Sequence, residues 1–162
     1  MKHITKFGVA ALAALALTAT SASAQVIQMT ATLSAGDETP ALLSGAVGTA
    51  EVGVDVGAQE LSITLRVFNL PTASTGGHIH VGPRGVAGPI VIDFPNIPGR
   101  TGDFVITFRV NQAAMRAQPA QGINTMDDII QAITGGNAYV NIHSTTNPGG
   151  EIRGQLGLAG GR

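Results

Sequence analysis

Beyond the first two dozen positions, apolar and polar residues alternate along most of the chain. A period of two sends one set of side chains to a buried face and the other to an exposed one. The clearest run is Glu60 to Leu70, where Leu61, Ile63, Leu65 and Val67 point one way while Ser62, Thr64 and Arg66 point the other. Similar runs cover 26–33, 47–56, 102–110, 138–143 and 151–158, and the short apolar stretch Ile90-Val91-Ile92 closes on Asp93. Turn chemistry separates them at Gly36-Asp37, Val56-Gly57-Ala58, Asn69-Leu70-Pro71, Pro98-Gly99 and Asn147-Pro148-Gly149-Gly150. Six to eight short strands with little helix predict an antiparallel β-sandwich or barrel.

One segment has a different period. From Thr125 to Thr134, Met126, Ile129, Ile130 and Ile133 recur at helical spacing, Thr125 is an N-cap, Asp127 and Asp128 lie in the first turn, and Gly135-Gly136 is a stop. A second short helical piece is expected over 112–117, ending before Pro119.

The first 24 residues read as an export leader rather than as part of the fold. Lys2, His3 and Lys6 precede the apolar run Phe7 to Leu17, and small residues end in Ala22-Ser23-Ala24. That run is well short of the roughly 20 residues a membrane-spanning helix needs. Cleavage after Ala24, a periplasmic or secreted product without a membrane span, and one domain over 25–162 are therefore the expectations. Both lysines lie in the leader, so the remainder carries seven Arg against ten acids, a net charge of −3. With no block of like charge, a surface built for nucleic acid is disfavoured. A 44% hydrophobic share argues against disorder, and the absence of Cys excludes disulfides.

Candidate chemistry is concentrated in two segments. After the leader there are three histidines, His78, His80 and His143. In Gly77-His78-Ile79-His80-Val81 the spacing puts both imidazoles on one face, and in Tyr139-Val140-Asn141-Ile142-His143 the polar residues again share one. If the two strands are close, three imidazoles converge on a mononuclear site suited to copper, with zinc the second choice. Equally, the histidines can brace loop carbonyls without any metal. Glu151 and Arg153 alternate with Ile152; they can orient an imidazole, contact an anion, or form an exposed ion pair of little worth. Nucleophilic catalysis has no foothold: there is no Gly-x-Ser-x-Gly elbow, and Ser144 next to His143 points to the opposite face.

The blocks Gly77-His78-Ile79-His80-Val81-Gly82, Gly88-Pro89-Ile90-Val91, Tyr139-Val140-Asn141-Ile142-His143-Ser144 and Gly149-Gly150-Glu151-Ile152-Arg153-Gly154-Gln155-Leu156 resemble the CHRD domain, named from chordin. The resemblance runs loosely from about Val26 to Leu158 and implies an extracytoplasmic Greek-key β-sandwich or barrel, immunoglobulin- or superoxide-dismutase-like. The layout is also similar to copper/zinc superoxide dismutase, which would set His78, His80 and His143 as copper ligands and Arg153 as an anion guide. No fourth histidine is left for a bridging ligand and zinc subsite, so only a copper-only version is possible. Three readings stand: a binding module with a metal site, a copper-only dismutase-like enzyme, and a matrix domain without metal that meets extracellular protein or polysaccharide.

Overall fold

The computed structural model describes residues 26–160, so the leader expected over 1–24 lies outside the described residues. Nine strands and one α-helix follow in the order β1 (Val26–Ser34), β2 (Val47–Asp55), β3 (Glu60–Leu70), β4 (Ser74–Val81), β5 (Ile90–Asp93), β6 (Gly102–Val110), α1 (Met126–Thr134), β7 (Ala138–Ser144), β8 (Ile152–Gln155) and β9 (Gly157–Leu158). They form one sheet in the order β5-β4-β7-β8-β1-β2-β3-β6, with β9 added beside β1. The described pairings are antiparallel, and the sheet curls into a nearly closed barrel. Four adjacencies, β4 with β7, β1 with β8, β1 with β9 and β3 with β6, join strands distant in sequence. Among the described residues no helix is long and apolar enough to cross a membrane.

Alternation explains the core. Met29, Ala31 and Leu33 of β1, Val52 and Val54 of β2, Leu61, Ile63, Leu65 and Val67 of β3, Ile79 of β4 and Val140 and Ile142 of β7 are buried inside the barrel. Each large aliphatic side chain so buried contributes about 1.5–3 kcal/mol. Helix α1 closes one end by burying Met126, Ile129, Ile130 and Ile133. Its start is fixed by a capping box: Thr125 Oγ1 accepts from Asp128 N, and the Asp128 carboxylate accepts from Thr125 N at 2.9 Å.

Two expected elements differ. The helical piece expected over 112–117 is only a 3-10 turn, Gln112–Ala114. Beyond it the chain extends to cover the edge of β5, Met115 bridging to Ile92 and Arg116 N donating to Val91 O. The run expected over 151–158 is divided into β8 and β9 because the chain changes neighbour. Gln155 pairs with Tyr139 of β7, while Gly157 and Leu158 pair with Thr30 and Met29 of β1.

Candidate metal centre

Strand register assembles the site. Between β4 and β7, Gly76 faces His143, His78 faces Asn141 and His80 faces Tyr139; between β7 and β8, Asn141 faces Arg153 and Tyr139 faces Gln155. These residues share one face of the three strands, and Ile79, Val140, Ile142 and Ile152 on the other face belong to the core. The polar face is not open to water, because loops lie over it. Asn141 Nδ2 donates to Glu38 Oε2, Arg153 Nη2 to Pro83 O and Gln155 Nε2 to Gly82 O. His80 and His143 are each 7% exposed, and His78 is half-buried.

The three imidazoles meet there, with ring centroids 4.7 Å apart for His78 and His143, 5.7 Å for His78 and His80, and 5.8 Å for His80 and His143. One nitrogen from each ring can be chosen so that all three lie within 4.8 Å of one another. Glycine makes room, since a Cβ at Gly76 would come within 2.9 Å of the His78 ring.

Each ring is held by one nitrogen. His80 Nδ1 donates to Gly88 O at 2.9 Å and His143 Nδ1 to Pro148 O at 2.9 Å, while His78 Nε2 faces Asp93 Oδ1 at 3.4 Å. A carbonyl only accepts, so each ring bonded to one carries its proton on Nδ1 and a lone pair on Nε2. The other nitrogen of each ring, His78 Nδ1, His80 Nε2 and His143 Nε2, is buried with no hydrogen-bond partner among the described residues. The Gly88 anchor depends on a close approach: a Cβ at Gly88 would lie 1.7 Å from Val81 O. Asp93 is tied to Arg116 by two bonds of 2.5 and 2.7 Å.

The electrostatics keep the rings neutral. Burial lowers His78 to about 4, helped by the neighbouring His143 and His80 and opposed by Asp93. Burial likewise lowers His80 to about 4 against the Gly88 bond, and lowers His143 against the Pro148 bond. Three neutral imidazoles are the protonation state a metal ion requires.

Glu151 and Arg153 do not form an exposed ion pair. Arg153 is 3% exposed, its guanidinium stacks 3.6 Å from the centre of the Tyr139 ring, and its Nη1 donates to Thr39 Oγ1 at 3.3 Å. His80 also stacks on the Tyr139 ring, with centroids 4.8 Å apart. Glu151 is wholly buried just before β8 and accepts from Ser44 Oγ, from Ser144 Oγ at 2.7 Å and from Asn147 Nδ2 at 2.6 Å. Burial alone would raise its carboxyl, but these three donors outweigh burial and hold it below its ordinary value. Ser144 thus serves Glu151, not His143. Through Asn147 and Ser144, Glu151 braces the turn that presents Pro148 O to His143.

Two residues at the site carry no signal in the sequence pattern. Asp93 ends β5 as a strand-closing acid would, yet its carboxylate also faces His78. Glu38 comes from the loop after β1, is 9% exposed, and is pushed up to about 7 by burial, with Arg153, Asn141 and the Thr39 backbone pulling it down only in part. Beside Glu38, a cavity of about 240 Å³ is lined by Pro40, Leu42, Pro148 and Gly150. Strand pairing places Asp93 opposite His78, and the bond from Asn141 places Glu38, because each reaches the site from a separate part of the chain.

Among known proteins, the sequence profile described as CHRD domain matches residues 29–156. No curated protein matches, and no solved structure does.

Proposed function

The chain belongs to the CHRD domain family, and from that premise together with the histidine geometry we propose that it is an exported binding module for a metal ion, copper first and zinc second, held by His78, His80 and His143. One observation carries the reading: three rings with centroids 4.7 to 5.8 Å apart each direct one nitrogen at an oxygen acceptor and keep the other buried and unpartnered among the described residues. Bracing loops would use only the first nitrogen. Leaving three buried acceptors unpaired costs about 1–3 kcal/mol each, a cost that coordination would remove. An oxygen acceptor behind each ligating imidazole is also the usual arrangement in metal sites, where it fixes the tautomer and ring orientation.

Copper is preferred to zinc by the affinity order of divalent ions for nitrogen sites. Bound copper would supply a Lewis acid that can change redox state. The chain's own contribution is to present three lone pairs, orient the rings through Gly88, Pro148 and Asp93, and limit water by closing loops over the face. The placement of Arg153 favours binding over anion turnover, since its guanidinium stacks on Tyr139 instead of facing solvent. Export rests on the leader expected over 1–24, with a periplasmic or secreted destination.

The test is a copper and zinc titration of the metal-stripped protein, followed by its thermal midpoint, beside a His78→Ala, His80→Ala, His143→Ala triple variant. Metal at 1,000 times its dissociation constant should add about 4 kcal/mol to the wild type and nothing to the variant. If neither responds, or both respond alike, the metal reading is wrong and an extracellular protein or polysaccharide partner takes its place.

A further inference from the structure

The sheet has two ends, and they are finished differently. At β5 the free edge is covered by the segment after β6: Arg116 N donates to Val91 O, and Gln118 Nε2 to Ile90 O at 2.9 Å. Among the described residues β6 has no such cover, since its only strand neighbour there is β3. Among the described residues, no backbone group from 103 to 110 bonds to any other backbone segment. A nine-residue strand presents about 30 Å of ladder at ~3.3 Å per residue. Isolated proteins blunt such edges with Pro, Lys, bulges or a covering segment; β6 contains neither Pro nor Lys, and its ladder with β3 shifts register only at the Gly102 end, running evenly from Phe104 to Val110.

Its sequence is also complementary to itself. On β6, Asp103, Val105, Thr107 and Arg109 are exposed on the outer row, while Phe104, Ile106 and Phe108 are half-buried on the inner row, Phe108 against Phe94. Within the chain Asp103 Oδ1 accepts from Asn69 N at 2.8 Å and Arg109 pairs with Glu60, so a second copy would add a further partner to each. Pairing two copies antiparallel about Ile106 sets Asp103 against the second copy's Arg109, Val105 against Thr107 and Phe104 against Phe108. Moving the two-fold axis one residue either way loses the match: Asp103 then faces Thr107 or Asn111, and Arg109 faces Thr101 or Val105. Registers that mix the rows would set the inner phenylalanines against the outer charges.

We infer that β6 is a dimerisation edge at which a second copy of this chain pairs antiparallel about Ile106, joining two barrels through a continuous sheet. The edge is closed by two Asp103–Arg109 pairs outside and two Phe104–Phe108 pairs inside. Cross-strand pairs of both kinds are favourable, and like charges placed opposite each other are unfavourable. This inference does not depend on the metal reading, because β6 holds none of the three histidines.

Sedimentation velocity on the wild-type chain, from micromolar to millimolar, should show a monomer–dimer equilibrium. Asp103→Arg and Arg109→Asp, both at exposed positions and each checked for native circular dichroism, should each weaken it about tenfold or more, because every cross-strand pair becomes like-charged. An equimolar mixture of the two variants should recover a heterodimer, since each acid then faces a base. A wild type that stays monomeric overturns the inference, as do single variants that dimerise as well as the wild type or a mixture that recovers nothing.

Discussion

Glu151→Gln tests whether the loop behind His143 is held by an ionised carboxylate. Glu151 is buried, pairs with no cation among the described residues, and receives donors from Ser44, Ser144 and Asn147. A carboxamide of the same shape can place its oxygen toward Ser144 and Asn147 and its NH2 toward Ser44, whose hydroxyl can turn to accept. What it cannot keep is the charge. Hydrogen bonds to ionised groups contribute about 1.5–3 kcal/mol against about 0.5–1.5 for neutral ones, so three weakened bonds cost about 3 kcal/mol. For a domain of this size that is a fall of about 10 °C in the thermal midpoint, measured by circular dichroism at neutral pH. The sign with pH follows from the lowered carboxyl. Its stabilisation is complete above the ordinary value of 4.5 and is lost as pH falls through the lower folded value, so the gap between wild type and variant should close on acidification. Copper affinity should also drop about tenfold, as for other outer-shell losses. A midpoint fall below about 3 °C at neutral pH, or a gap that stays constant down to strong acid, would refute the reasoning.

Three further outcomes are expected. Asp93→Asn should weaken copper binding by about tenfold while the thermal midpoint of the metal-free protein changes little, which isothermal titration and thermal scans would separate. Glu38→Gln should be at least as stable as wild type at pH 8: the raised carboxyl favours the protonated folded form, so its contribution is present below 4.5 and lost as pH rises through about 7, a dependence the variant should lack in urea titrations across that range. The metal-free wild type should lose stability as pH falls from 6.5 toward about 4, because the unfolded chain protonates histidines that the fold keeps neutral. The triple alanine variant should lose that slope, and an unchanged slope would count against three buried neutral rings.

Much of the barrel was legible because its core is aliphatic and its strands have one wet face. β3 and β6 match their alternation end to end, and α1 starts on its capping Thr125. The convergence of His78, His80 and His143 was also readable, since both strands announce which side their polar residues take. What alternation could not supply was the identity of each strand's neighbour. The break between β8 and β9 comes from a change of partner at Leu156, and no local pattern records it. Burial of Arg153 and Glu151 was hidden for a related reason. On β7 and β8 the polar face is roofed by loops, so a residue that alternates like a surface position is interior. Glu38 was missed altogether, because its role depends on Asn141, 103 positions further along the chain.

Two of the three imidazoles take their orientation from main-chain carbonyls, Gly88 O and Pro148 O. Such anchors have no side chain to delete, so alanine replacements around the cluster cannot remove them directly. The vulnerable positions are those where the path of the chain is sterically pinned. Alanine at Gly88 adds one methyl group into the Val81 carbonyl and would displace an acceptor that no residue name reveals. In this protein, mutational tolerance near the cluster follows the course of the backbone more closely than the chemistry of the side chains.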